Sequence, residues 1–335
     1  MTAAILQFAA AAIVVIFAGA ALARAAERIA DITGFGRLLV GSVLLAGATS
    51  LPELAVDISA VRAGLDDVAV GDLLGSSLFN LLILAIADLA HKRRGLLFTR
   101  LSRAHLLSGL SALMLTALVG VFIVMRPAQP LALGGIGVGS VVVMAAYILC
   151  IRLIYRDQRL RGAFDASHGA SAADGGAKPP RLAPQLGVFA VAALVILVAA
   201  PFVAQAAGQI AELSGLGGTF IGTTLVAAST SLPELVATLA AVRMGSFDLA
   251  VGNVFGSNTF NMAMILPIDA FSDGPLLSKV STAHGVTAFA VTAITSVALM
   301  GIVYEDDRRK RFIEPDAVAI IALVLAALGL LYFVR

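Results

Sequence analysis

Long tracts without charged residues dominate this sequence and restrict what the chain can fold into. The chain has 23 Lys and Arg and 21 Asp and Glu among 335 residues, and more than half of these charges lie within 91–103, 152–181 and 305–316. The tracts between them are mostly apolar and about 20 residues long, which is the length of an α-helix that crosses the hydrocarbon core of a bilayer. The pattern excludes a soluble enzyme and predicts an all-α membrane protein.

Ten segments are long and apolar enough to be membrane spans. We place them at 2–23, 37–61, 68–89, 104–125, 131–153, 186–207, 218–242, 249–271, 283–303 and 316–334. A polar stretch at 155–184, rich in Gly, Ala, Ser and Pro, separates spans five and six and is predicted to be a linker. We therefore expect a first five-helix repeat at 1–154 and a second at 185–335.

The Lys and Arg residues predict the orientation of these spans. With ten spans, 19 of the 23 basic residues fall on one side of the membrane, the side that also holds the 155–184 linker. Cytoplasmic loops carry the excess of basic residues, so the linker is expected to be cytoplasmic and both termini outside, in a multi-pass protein of the plasma (inner) membrane. Because the basic residues form no continuous surface, we expect no nucleic-acid partner.

An internal repeat relates the two halves. Residues 41–90 align without a gap on residues 222–271, and 22 of the 50 aligned positions are identical. Each copy covers the second and third spans of a half with five spans, so the copies are predicted to cross the membrane in opposite directions. Inverted repeats of this kind are typical of secondary transporters, which hold their substrate between the two halves.

A proline and a glutamate recur inside the second span of each half. Pro52 and Pro233 are predicted to break their helices and to free backbone carbonyls. Glu53 and Glu234 follow directly, and Thr49, Ser50, Thr230 and Ser231 precede them. The spacing Ser-x-x-Glu also fits a capping box, which would be a structural role. Because a buried glutamate costs several kcal/mol in a membrane, we favour both glutamates as cation ligands.

The third span of each half carries a row of polar residues spaced four apart. Asp72, Ser76 and Asn80 share one helix face in the first half, as do Asn253, Ser257 and Asn261 in the second. Glycines lie between these polar residues and indicate close helix packing. The alternative is that the polar residues only hold neighbouring helices together and bind no ion. Carboxylate, amide and carbonyl oxygens are the ligands of a hard cation such as Ca²⁺, and two glutamates balance its charge.

The motif TSLPEL, followed by GSSLFN in one copy and GSNTFN in the other, resembles the calcium/cation antiporter superfamily, and specifically the prokaryotic sodium/calcium exchangers. The signature covers 37–90 and 218–271. The resemblance implies a Ca²⁺ site formed by Glu53 and Glu234, with backbone carbonyls of Thr49 and Thr230. It implies Na⁺ sites that use Ala46, Ser50, Ser76, Ala227, Ser231 and Ser257. Asn80 and Asn261 take the central positions of the third and eighth spans.

This chain departs from the family pattern at several positions. Both central positions are asparagine, where some relatives have one aspartate. Asp72 and Ser77 stand where the family and the second repeat have asparagine, and Asp57 is an additional acid opposite Thr238. Asp57 and Asp72 are therefore candidate ligands of a coupling ion, H⁺ included.

The expected function is secondary active antiport that moves Ca²⁺ out of the cytoplasm in exchange for Na⁺. An H⁺-coupled antiporter of the same architecture and a passive cation channel are the alternatives. No GxxxxGK[ST] motif occurs, so neither ATP nor a cofactor is expected to take part, and no enzymatic activity is predicted.

Overall fold

A computed structural model describes residues 1–90, 103–125, 131–167, 181–213, 228–303 and 315–334. The first half contains α1 (Thr2–Thr33), α2 (Arg37–Val40), a π-helical turn (Gly41–Leu45), α3 (Ala46–Thr49), α4 (Leu51–Arg62), α5 (Asp66–Ala90), α6 (Arg103–Met125), β1 (Ala132–Leu133), β2 (Ile136–Gly137) and α7 (Val138–Ser167). The second contains α8 (Leu182–Leu213), α9 (Leu232–Met244), α10 (Phe247–Asp269), α11 (Leu276–Lys279), α12 (Ala283–Val303) and α13 (Pro315–Val334). Within these ranges the fold is all-α apart from the small antiparallel hairpin β1–β2.

The long apolar helices identify an integral membrane protein. Within the described ranges, six helices are long and apolar enough to span a bilayer, and a seventh span results if the pair Arg37–Thr49 and Leu51–Arg62 is counted as one. The predicted segments 218–242, 249–271 and 316–334 are not among these spans. The count of ten spans therefore stays a prediction.

The second predicted span is bent where its polar motif lies. Its two parts, Arg37–Thr49 and Leu51–Arg62, meet at 44°. The bend is at Ser50, and Pro52 lies in the first turn of α4, where its missing N–H costs no helical hydrogen bond. In the second half the chain likewise turns at Ser231, and Pro233 lies in the first turn of α9. In each copy a new helix therefore begins two residues before the glutamate.

The helices that flank the linker are longer than the spans assigned to them. Helix α7 continues to Ser167 and α8 begins at Leu182, so both extend into the stretch 155–184 that was predicted to be a linker. The residues after 154 include Arg, Gln and Leu, which favour helix once it has begun, although they are too polar to lie in the lipid core. The polar composition therefore did not mark the end of the helix.

Helix α10 is the central element of the fold. It packs against α2, the π-helical turn, α5, α6, α7 and α9, and nearly all of its residues are buried. Glycines permit the closest of these approaches. A Cβ added at Gly252 would lie 2.7 Å from the carbonyl oxygen of Leu38 and 3.2 Å from the Cα atom of Gly41. Small residues in both copies of the repeat thus bring α10 into backbone contact with the bent span.

Asp269 holds the end of α10. Its carboxylate accepts hydrogen bonds from the backbone N–H groups of Gly137 (2.9 Å) and Leu276 (2.8 Å) and from the hydroxyl of Ser140. The carboxylate thereby joins the hairpin, α7 and α11 to α10. With two backbone donors and one hydroxyl donor, this carboxylate has a structural role at the end of the helix.

Candidate ion-binding site

Glu53 and Glu234 occupy equivalent positions in the two halves. Each is in the first turn of a helix that starts after a break in the chain, and each is buried with 1% of its surface exposed. The two side chains interact electrostatically although they are 181 residues apart in sequence. The folding of the repeats thus brings two acidic side chains close to each other in the protein interior.

The two halves also share a direct hydrogen bond at this point. The hydroxyl of Ser50 donates to Oε1 of Glu234 over 3.0 Å. The other carboxylate oxygen of Glu234, Oε2, has no hydrogen-bond partner among the described residues. Ser50 therefore fixes one oxygen of the Glu234 carboxylate and leaves the second available.

The capping-box interpretation does not describe these serines. Ser50 and Ser231 are the N-caps of α4 and α9, but neither side chain makes a capping hydrogen bond. Ser50 bonds across to the other half instead, and the Ser231 hydroxyl has no partner among the described residues. The Ser-x-x-Glu spacing therefore does not serve helix capping in this structure.

Asn80 and Asn261 lie on α5 and α10, which pack against each other and against the helices of the two glutamates, α4 and α9. The amide nitrogen of Asn80 donates to Oδ1 of Asn258 (2.9 Å), and that of Asn261 donates to the carbonyl oxygen of Leu73 (3.5 Å). The side-chain oxygens of Asn80 and Asn261 have no partner within the described parts of the chain. Both asparagines thus use their donors to join α5 to α10 and keep their acceptors free.

The packed helices α4, α5, α9 and α10 carry a group of buried polar residues with unsatisfied oxygen atoms, which we call the central cluster. It consists of Glu53, Glu234, Ser50, Ser231, Ser76, Ser257, Asn80 and Asn261, and all of these residues are buried. Seven of them have a side-chain oxygen without a hydrogen-bond partner in the described structure, all except Ser50. Buried polar atoms are normally satisfied, because an unpaired one costs free energy. An interior set of unpaired oxygens is suited to a hard cation, which supplies the missing interactions.

The other predicted residues have distinct surroundings. Thr49, Ala46 and Thr230 are buried near the helix breaks. The carbonyl oxygen of Ala46 accepts hydrogen bonds from the Ser50 N–H (3.0 Å) and the Thr49 hydroxyl (3.2 Å). Ala227 lies outside the described residues. Asp57 and Asp72 lie one helical turn away from the cluster, on α4 and α5.

Asn258 was not recognised from the sequence. Its amide accepts from Asn80 and donates to the carbonyl oxygen of Ser77 (3.3 Å), so it orients Asn80 and connects the two repeats. Its repeat partner is Ser77, whose short hydroxyl bonds to its own helix at Leu73 (2.9 Å). The difference between GSSLFN and GSNTFN was therefore the available signal, because only the longer side chain reaches the neighbouring helix.

Comparison with known proteins points to the family that the TSLPEL motif resembles. The sequence profile described as sodium/calcium exchanger protein matches residues 3–156 and 184–334. The inner membrane protein YrbG of Escherichia coli is 31% identical over 262 residues, 77% of this chain and 76% of its own. The putative antiporter CaxA of Alkalimonas amylolytica is 29% identical over 250 residues, 72% of each chain.

The fold is also that of a solved exchanger. The structure of the sodium-calcium exchanger NCX_Mj soaked with 10 mM Na⁺ superposes with a TM-score of 0.71 and covers 97% of this chain and 98% of its own, at 20% sequence identity. The family profile and the helical membrane fold together place this chain among the multi-pass cation antiporters, which are transporters and not enzymes. The chain belongs to the sodium/calcium exchanger family, since the family profile matches almost its whole length.

Proposed function

We propose that this protein exchanges Ca²⁺ for Na⁺ by alternating access and thereby moves Ca²⁺ out of the cytoplasm. The observation that carries the proposal is the central cluster, in which both repeats contribute buried oxygens without hydrogen-bond partners. Such atoms are suited to a cation that has lost its water shell. Membership of the exchanger family supports the same assignment.

The two glutamates explain why two kinds of cation would compete. When both are ionised, Glu53 and Glu234 supply two negative charges, whereas Asn80 and Asn261 of the same cluster are neutral. One Ca²⁺ or two Na⁺ would balance these charges, whereas an empty cluster would leave them uncompensated in a low dielectric. Binding of one kind of ion therefore opposes binding of the other, which is the requirement for exchange.

The remaining ligands are assigned by position. We propose carbonyl oxygens of Thr49 and Thr230 for Ca²⁺, beside the two glutamates. For Na⁺ we propose the residues of both copies that surround the breaks and the third spans: Ala46, Ser50, Ser76, Ala227, Ser231 and Ser257. The free hydroxyl oxygens of Ser76, Ser231 and Ser257 support their part in this set.

The direction of transport rests on the proposed membrane orientation. We place two five-span repeats, 1–154 and 185–335, in the inner membrane, with both termini outside and the connection between them in the cytoplasm. The distribution of Lys and Arg supports this orientation. Coupling to Na⁺ that enters the cell would then drive Ca²⁺ outward.

Uptake of ⁴⁵Ca²⁺ by inverted membrane vesicles tests this function. The vesicle lumen corresponds to the outside, so Na⁺ loaded into the lumen should drive Ca²⁺ uptake without a pH gradient. Uptake that follows only a pH gradient would show proton coupling, the alternative that the additional acids Asp57 and Asp72 favour. A Ca²⁺ flux that depends on neither gradient would indicate a channel. Both the proton-coupled result and the channel result would contradict sodium exchange.

Replacing Ser50 by alanine is expected to weaken Ca²⁺ binding. Ser50→Ala removes the donor that holds one oxygen of Glu234, and a hydrogen bond of this kind is worth about 1 kcal/mol or somewhat more. We therefore expect the half-saturating Ca²⁺ concentration for uptake to rise about fivefold to tenfold. Ser59→Ala is the matched control, since the Ser59 hydroxyl bonds only to Ala55 of its own helix and is exposed. Equal values for both variants would contradict the role of Ser50.

A further inference from the structure

Two more carboxylates lie next to the central cluster. Asp57 follows Glu53 by one turn of α4, and Asp72 precedes Ser76 by one turn of α5. Asp57 is completely buried, and neither of its carboxylate oxygens has a hydrogen-bond partner in the described structure. The same is true of Oδ2 of Asp72. We call Asp57 and Asp72 the acidic pair.

The second repeat shows how the two positions are related in space. The residues equivalent to the acidic pair are Thr238 on α9 and Asn253 on α10, and the Asn253 amide donates to the Thr238 hydroxyl over 3.0 Å. The corresponding residues of α4 and α5 therefore face each other, and Asp57 and Asp72 do interact electrostatically. In the second half the Asn253 donor and the Thr238 acceptor satisfy each other, whereas in the first half the two equivalent residues are both carboxylates.

No basic side chain compensates these acids in the part of the chain that the structure describes. Their free oxygens exclude an ion pair with Lys, Arg or His there. Arg62, at the end of α4, instead stacks on the ring of Phe271 at 4.3 Å from its centroid. Two buried carboxylates that face each other need a positive charge between them or a loss of their own charge. Asp72 is half-buried as a residue, but its unpaired Oδ2 is buried like both carboxylate oxygens of Asp57.

We propose that Asp57 and Asp72 form a second cation site, adjacent to the central cluster and present only in the first half. Its ligand is a hard cation bound through carboxylate oxygens, and Ca²⁺ and Na⁺ are the two candidate ions. The site lies toward the loop between α4 and α5, one helical turn from the glutamates. It concerns binding alone, so it does not depend on the direction or coupling of the proposed exchange.

A double substitution that copies the second repeat removes this site with little change of shape. Asp57→Thr with Asp72→Asn introduces the same two residue types that already form a hydrogen bond at Thr238 and Asn253. Bound ⁴⁵Ca²⁺ and, separately, ²²Na⁺ are counted per chain on purified protein by a scintillation proximity assay. We expect the variant to lose one bound cation per chain in one of the two assays and to keep those of the central cluster.

The assay that changes identifies the cation. Loss of one Ca²⁺ assigns the site to Ca²⁺, and loss of one Na⁺ assigns it to Na⁺. Unchanged stoichiometry of both ions in a folded variant overturns the proposal.

A second variant keeps the test decisive if the first does not fold. Glu53→Gln with Glu234→Gln neutralises the central cluster and leaves the acidic pair intact. One cation per chain should remain bound to it, and no bound Ca²⁺ or Na⁺ would overturn the proposal. Because the central glutamates are absent from this variant, its result is independent of whether the protein exchanges Ca²⁺ for Na⁺.

Discussion

Replacing Glu53 or Glu234 by glutamine is expected to abolish Na⁺-driven Ca²⁺ uptake. Either change removes one of two buried charges that would balance a divalent cation, while the shape of the side chain is kept. Removal of one partner from a buried ion pair costs about 3–5 kcal/mol, which corresponds to a loss of affinity of at least about 100-fold. Initial rates of ⁴⁵Ca²⁺ uptake into inverted vesicles, measured over a range of Ca²⁺ concentrations, check this expectation.

An exposed glutamate supplies the control for this experiment. Glu212, near the end of α8, is exposed, and Glu212→Gln removes the same charge outside the cluster. This variant should transport like the unmodified protein. If Glu53→Gln and Glu234→Gln retained the affinity of the Glu212→Gln variant, neither glutamate would be a ligand and the proposed site would be wrong.

A single methyl group at Gly256 is expected to destabilise the whole protein. A Cβ at this position would lie 2.7 Å from the carbonyl oxygen of Ser42 and 2.9 Å from the Cβ atom of Ala46, and it would also overlap the Cα atom of Ser42. Backbone atoms cannot move aside like the end of a flexible side chain, so α10 and the π-helical turn must separate. Overpacking costs about 1–3 kcal/mol, and we expect Gly256→Ala to reach the upper end of this range.

Thermal unfolding of the purified protein in detergent measures this effect. We expect the midpoint for Gly256→Ala to fall by about 5–10 °C, given a shift of a few degrees per kcal/mol for large domains. Gly187→Ala is the matched control, because a Cβ there meets nothing within 4 Å. Equal midpoints for the two variants would show that the close approach of α10 is not rigid.

The membrane fold was predictable because its signals are local. Apolar tracts of fixed length and an internal repeat indicated a helical membrane protein made of two related halves. The comparison with exchangers confirms the family and the fold class. Helix ends were less predictable: α1 continues to Thr33, ten residues beyond the predicted span, because helix and lipid boundaries need not coincide.

The candidate site was predictable only in part. The position of Glu53 and Glu234 beside the prolines suggested that the two halves meet there. The alternative of a capping box was equally compatible with the Ser-x-x-Glu spacing, and only the structure decided against it, since Ser50 bonds to Glu234 instead of its own helix. The difference between Ser77 and Asn258 is visible in the sequence, but only the structure shows that Asn258 bridges to Asn80 and Ser77.

The difference has a physical cause. The sequence alone determined the membrane-spanning character, the duplication and the identity of the acidic residues, because hydrophobicity, periodicity and self-similarity are properties of neighbouring or aligned residues. Only the tertiary structure decided which oxygens remain unpaired. Hydrogen bonds such as those from Asn80 to Asn258 join residues 178 positions apart, and such contacts depend on how α5 packs against α10.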